Sequence, residues 1–85
     1  PDENNGSSIV ISPNPSQGLY QIDFGNGANG FIQLEVVDMQ GNLIEKQNLS
    51  NKNSTSIDLS KYASGVYILK VIANNKQEIA RLVKL

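Results

Sequence analysis

Few residues in this 85-residue chain could do chemistry, because it contains neither histidine nor cysteine. That composition removes the commonest general base, the commonest transition-metal ligand, the thiolate nucleophile and any disulfide. Ser60 and Lys61 are adjacent, but such a pair on a corner is typical of solvated surface rather than of a nucleophile and its base. The carboxylates Glu35, Asp38 and Asp58 fit outward strand positions, and so short a chain leaves little material for a substrate cleft around them. We therefore expect a protein without catalytic activity.

Ligand-binding motifs are equally sparse. Gly25, Gly27 and Gly30 fall between two predicted strands rather than between a strand and a helix, so they do not form a phosphate loop. The sequence has no calcium-loop pattern and no apolar run near the roughly 20 residues of a membrane span. Five aromatic residues without tryptophan argue against a stacking platform, since Tyr20, Phe24 and Tyr67 are predicted on core faces. We expect no metal and no cofactor.

The charge is unevenly distributed although it sums to −1. Residues 1–60 carry seven carboxylates against two lysines, whereas residues 61–85 carry five cations against one glutamate. The basic end is either a docking surface or the solvated face of the last strands. Five separated cations do not make the dense basic stripe that nucleic acid requires, so we expect no nucleic-acid partner.

The elements that must position any site are strands. Alternating apolar residues and turn signals predict seven of them, near residues 9–11, 19–24, 31–39, 43–49, 55–59, 66–73 and 78–85. Turns every 8–12 residues without an amphipathic helix predict an all-β fold, an immunoglobulin-like antiparallel β-sandwich, with an open barrel as the alternative. Residues 1–8 are polar and rich in turn formers, which predicts a flexible linker ahead of a domain over residues 9–85. Because the chain begins with Pro1 and shows no signal peptide, we expect it to be a piece of a longer protein.

Tyr67 follows a corner and begins a predicted strand. Sandwiches commonly place a tyrosine there, with its ring in the core and its hydroxyl bonded to the backbone of the corner. We expect Tyr67 to have that structural role.

Four blocks of sequence occur in order: PNPSQG at 13–18, VVDMQGNL at 36–43, GVYILKV at 65–71 and IARLVKL at 79–85. Together they resemble the type A C-terminal sorting domain of the type IX secretion system of Bacteroidetes, over about residues 9–85. Two positions depart from that family: Ser12 replaces the aromatic residue that often precedes P-N-P, and the terminal cations are spaced rather than clustered. The signature residues matched by position are Pro13, Asn14, Pro15, Gly18, Gly41, Gly65, Tyr67 and Lys84.

The resemblance implies a secretion signal at the end of a cargo protein that is exported through the periplasm. An outer-membrane translocon recognises such a domain, and a sortase-like protease at the surface usually removes it. The cargo is then anchored at the cell surface or released outside. Cleavage is expected in the linker, where Asn5, Gly6, Ser7 and Ser8 are the candidate positions.

Each signature block also has a purely structural interpretation. The prolines end a strand and the glycines permit turns, so the signature would be a fold signature and recognition would use the surface that the fold displays. We expect Arg81, Lys84 and Leu85, on the basic last strand, to dock on the translocon as an edge or end that a partner can grip. The competing function is a fibronectin-like spacer or a carbohydrate-binding module retained on the mature cargo. The cargo, its fate and the oligomeric state stay open.

Overall fold

The computed structural model describes residues 9–24, 30–51, 53–73 and 76–85. Within those ranges the regular structure is entirely β-strand. The strands are β1 (Val10–Ser12), β2 (Leu19–Asp23), β3 (Phe31–Val37), β4 (Leu43–Ser50), β5 (Ser54–Asp58), β6 (Gly65–Ala73) and β7 (Lys76–Lys84). The predicted linker lies outside the described residues.

The seven strands form two antiparallel sheets. One has three strands in the order β1-β2-β5, and the other has four in the order β4-β3-β6-β7. The predicted sandwich of seven strands is therefore confirmed. An open barrel would be one hydrogen-bonded sheet with a single gap, whereas these strands form two separate sheets, so that alternative is wrong.

The core lies between the sheets and follows the period of two read from the sequence. Twelve apolar side chains fill it: Tyr20, Ile22, Phe24, Ile32, Leu34, Val36, Ile57, Leu59, Tyr67, Leu69, Val71 and Leu82. Both sheets contribute to this single cluster, so each holds the other in place. Truncating one of its leucines to alanine is expected to cost about 2–5 kcal/mol.

The strand ends lie within two residues of the predicted ones. β3 ends at Val37 rather than near residue 39, because the chain turns at Asp38. β7 begins at Lys76, two residues before the predicted start, since its first residues still pair with the end of β6. β1 runs to Ser12, where Pro13 stops the ladder.

The turn between β3 and β4 is organised by one carboxylate. The Asp38 side chain accepts hydrogen bonds from the backbone N–H groups of Gln40 and Asn42, both at 2.9 Å. These hydrogen bonds, that of Asn42 foremost, lower the pKa of the Asp38 carboxyl below its usual value. Gly41 follows with a φ of 90°, a conformation that glycine adopts without a steric penalty. The turn role expected of Gly41 is confirmed.

Candidate functional site: the signature loop and the last strand

The loop after β1 lies against the outer edge of β7. Asn14 reaches this edge with both ends of its amide: Nδ2 donates to the carbonyl of Arg81 at 2.8 Å, and Oδ1 accepts the N–H of Val83 at 3.0 Å. The side chain thus makes the two hydrogen bonds that a neighbouring strand would make with its backbone. Only an amide offers a donor and an acceptor at this spacing, which explains asparagine in the motif.

Ser16 continues the same contact with its backbone. Its N–H donates to the carbonyl of Val83 at 3.0 Å, and its carbonyl accepts the N–H of Leu85 at 2.8 Å. The resulting bridge to Lys84 is parallel and isolated. Asn14 and Ser16 together, with the backbone of residues 81–85 that they bind, are called the clasp below. The clasp covers the end of an edge strand that would otherwise present unpaired groups.

Ser16 is held from within the loop as well. It is 6% exposed, and its hydroxyl donates to the carbonyl of Leu19 at 2.6 Å while accepting the N–H of Gly18 at 3.0 Å. A buried hydroxyl with both a donor and an acceptor partner carries little desolvation cost. The turn is therefore rigid where it supports the clasp.

Gly18 is required by a close approach of two backbones. A Cβ at this position would lie 2.7 Å from the Cα of Ser60, and φ is 147°. The Gly18 carbonyl also accepts the N–H of Leu59 at 2.7 Å. Any side chain here would push β2 away from the end of β5.

Two tyrosine hydroxyls tie the core to the backbone. Tyr67 is buried, and its hydroxyl donates to the carbonyl of Ala63 in the preceding corner, as predicted. Tyr20 is fully buried, and its hydroxyl donates to the carbonyl of Val83 at 2.7 Å. Burial foremost, with the nearby Tyr67, raises the pKa of Tyr20 above its ordinary value. Tyr20 thus supports the clasp from the core side.

The other side of the sandwich is closed by different side chains. The Tyr62 hydroxyl lies 2.9 Å from the carbonyl of Ile44 and 2.8 Å from the carboxylate of Glu45, both on β4. Gln47 bridges from β4 to β5, where Nε2 donates to the carbonyl of Ser56 at 3.0 Å and Oε1 accepts the hydroxyl of Thr55 at 2.8 Å. Both edges of the four-stranded sheet are therefore capped along part of their length.

Residues 10–85 match the secretion system C-terminal sorting domain family. That match covers most of the chain. The protein belongs to this family. No curated protein matches the chain. The domain is a C-terminal sorting signal of type IX secretion, whose family implies export across the outer membrane to the cell surface or the extracellular space.

The three candidate docking residues of the sorting domain do not share one surface. Arg81 is exposed and points away from the core, whereas Lys84 has the opposite parity on β7 and lies beside Ser16. Leu85 is 63% exposed beyond the last strand. The structure thus separates Arg81 from Lys84, and their docking role stays a prediction.

Several signature residues of the sorting domain, by contrast, lie near one another at the end of β7, while Gly41 is in the turn between β3 and β4. Asn14 and Gly18 lie in the loop of the clasp, while Gly65 pairs with Lys84 at the start of β6. Both X-Pro bonds of the loop are cis. The candidate cleavage positions Asn5, Gly6, Ser7 and Ser8 lie outside the described residues.

Sequence reasoning missed two features of the sorting domain. It interpreted P-N-P as a strand terminator and did not find the pairing of Asn14 with β7, which joins residues 67 positions apart. It also placed only Tyr20, Phe24 and Tyr67 among the aromatic residues and did not find the exposed Phe31, whose side chain is 77% exposed. The signal for Phe31 was present, since it alternates with the buried Ile32.

No group of three or more acidic or metal-ligating side chains that could hold a metal ion occurs among the described residues. In the same part of the chain there is no helix of the length and apolarity that crossing a bilayer demands.

Proposed function

We propose that an outer-membrane translocon of the type IX system recognises the sorting domain as a folded sandwich, and that a surface protease then removes it within residues 1–8. The observation that carries this proposal is the family match over residues 10–85. The family implies that the domain acts with the type IX secretion system on a cargo located N-terminal to it in the same chain.

The clasp supports recognition of the fold rather than of a linear motif. The amide of Asn14 and the hydroxyl of Ser16 are engaged with the protein's own backbone. Groups that are already hydrogen-bonded within the fold are poorly available to a partner, because a partner would first have to break those bonds. The signature loop therefore shapes the surface that the translocon reads.

The proposal gives the domain no catalytic step. Histidine and cysteine are absent from the sequence. The two carboxylates with a lowered pKa, Asp38 in the turn after β3 and Asp58 at the end of β5, accept local hydrogen bonds. Route through the periplasm, translocon contact and proteolysis are all parts of the proposal.

The test is a reporter protein carrying residues 1–85 at its C-terminus, expressed in a host with an active type IX system and in the same host lacking the translocon. We expect the reporter outside the cell in the first host and in the periplasm of the second. Mass spectrometry of the exported reporter should find a new C-terminus within residues 1–8. Retention in the periplasm of the competent host refutes recognition, and an exported reporter that keeps all 85 residues refutes removal and favours the spacer function.

A further inference from the structure

One sheet of the sandwich presents an apolar surface to solvent. Three side chains on the outside of the four-stranded sheet are strongly exposed: Phe31 at 77%, Leu43 at 53% and Ile79 at 61%. Further half-buried apolar residues lie on the same side: Val37, Val66, Ile68, Ile72 and Val83. These eight residues, with the charged ones between them, are called the outer face below.

The opposite sheet is more polar on its outside. Most of its outward residues are polar or acidic, namely Ser12, Gln21, Asp23, Ser54, Ser56 and Asp58, and its exposed apolar side chains, Val10 and Leu19, stand at the starts of β1 and β2. An antiparallel sheet with one solvated side normally alternates in this way. β6 breaks the rule, because its sequence GVYILKVIA is apolar on both sides apart from Lys70. Near-continuous apolar strands are typical of sheets covered on both sides.

The strand register places three of these apolar residues in one row and sets Ile72 between the polar Gln33 and Gln77. Leu43 lies beside Val37, Val37 beside Ile68, and Ile68 beside Arg81. At the other end of the sheet, Phe31, Ile72, Lys46 and neighbouring residues line a groove of about 470 Å³. The surface therefore offers both a continuous apolar row and a depression that a side chain can enter.

The charges on the outer face are mainly positive. Among the apolar residues, Lys46 is the register partner of Glu35, which is in turn the partner of Lys70. With Arg81, three cations face one carboxylate, which leaves two positive charges. Two copies of this face would bring like charges together, and such juxtaposition disfavours self-association. A partner that carries carboxylates would be attracted instead.

We propose that the outer face docks on an apolar protein surface bordered by carboxylates, on a component of the secretion machinery. This inference rests on the proposed function and names the surface through which it acts. Both edges of the four-stranded sheet are capped in part, whereas its outer face is uncovered among the described residues. Of the docking residues predicted from sequence, it includes Arg81 and leaves out Lys84.

The size of the face fits a reversible contact. Four strands about 4.8 Å apart, over seven residues of about 3.3 Å rise, cover on the order of 400 Å². A stable protein interface buries about 800 Å² on each partner, whereas transient encounters lie below that size. A signal that has to leave its receptor after export needs a contact of the transient kind.

The first experiment removes apolar area without disturbing the core. The reporter carries residues 1–85 with Phe31→Thr and Ile79→Thr, and the matched control carries Val10→Thr and Leu19→Thr, which are 62% and 60% exposed on the other sheet. We expect the outer-face variant to lose at least tenfold in the exported fraction and the control to match the wild-type chain. Urea unfolding of the purified 85-residue chains should give equal midpoints, because all four side chains are exposed.

The second experiment tests the charge. Arg81→Glu should reduce export, while Lys61→Glu, an equal charge change on the corner after β5, should not. If the wild-type reporter is exported but the outer-face variants are exported equally well, the inference is overturned and the proposed function stands. Failure of the wild-type reporter overturns the proposed function itself. Sedimentation showing a dimer that Phe31→Thr with Ile79→Thr dissociates also overturns the inference, since the face would then belong to a second copy.

Discussion

The clasp predicts that one exposed amide stabilises the whole sorting domain. Asn14→Ala removes two hydrogen bonds to the backbone of β7, those with the Arg81 carbonyl and the Val83 N–H. Both backbone groups can return to water because the site is exposed, so each lost bond should cost its net value of about 1 kcal/mol. The expected loss is therefore about 2 kcal/mol, equivalent to a fall in Tm of about 10 °C for a chain of this length.

Asn14→Asp separates the donor from the acceptor. A carboxylate still accepts the Val83 N–H but turns a second oxygen toward the Arg81 carbonyl, which raises the pKa of the introduced acid in the folded state. A carboxyl whose pKa is higher in the folded state stabilises the fold when it is protonated. This stabilisation is fully present below the unfolded pKa of about 3.9 and is lost as pH rises through the folded pKa. The deficit of the variant against wild type should therefore be large at pH 7 and shrink at pH 3.

The assay is urea unfolding followed by circular dichroism at both pH values, with Gln17→Ala as the control, since Gln17 is exposed in the same loop. We expect Gln17→Ala to unfold with the wild type. Equal midpoints for Asn14→Ala and Gln17→Ala would refute the reasoning, as would an Asn14→Asp deficit that does not change with pH.

Three further predictions concern the signature and the turns. Gly18 and Gly65 share a φ of 147°, but only at Gly18 would an alanine Cβ lie 2.7 Å from backbone. Both alanine variants should lose about 1–2 kcal/mol of stability through backbone strain, and Gly18→Ala should lose clearly more. Equal thermal midpoints for the two variants would contradict the close approach at Gly18. Tyr67→Phe removes the hydrogen bond to the Ala63 carbonyl and should lower the free energy of unfolding by about 1 kcal/mol in urea titrations. An unchanged free energy of unfolding would show that this hydrogen bond does not stabilise the fold. Local hydrogen bonds lower the pKa of Asp38 and Asp58 in the fold. The stability that these carboxylates contribute is therefore present above their unfolded pKa of about 3.9 and is lost as pH falls through the folded pKa. Asp38→Asn should weaken the fall in stability at acid pH, and an unchanged fall would show that the Asp38 carboxylate does not contribute.

The parts of the fold that follow from local pattern could be predicted from sequence. Alternation in Leu19–Asp23 and Phe31–Val37 assigns an inner and an outer side to each residue, because a strand has a fixed period of two. The corner tyrosine could be placed as well, since Tyr67 and its acceptor Ala63 are only four residues apart.

The clasp could not be predicted, because it depends on which strand the loop meets in three dimensions. Nothing near Asn14 in the sequence indicates that its amide meets Val83, on the other sheet. The separation of Arg81 from Lys84 has a similar cause. Their spacing of three residues places the two side chains on opposite sides of β7, but only the order of the strands decides which of those sides faces the core. Sequence proximity of two cations therefore suggested one docking site where the fold makes two environments.

We propose above all that the folded sandwich, rather than the linear signature, is what the secretion machinery recognises. The most direct measurement compares export of a reporter carrying the wild-type chain with one carrying Ile22→Asp, which places a carboxylate at a fully buried position outside all four signature blocks. Burial of an unpaired charge should unfold the domain. We expect the share of surviving Ile22→Asp reporter found outside the cell to fall to background; export at the wild-type level would show that the linear signature, and not the fold, is read.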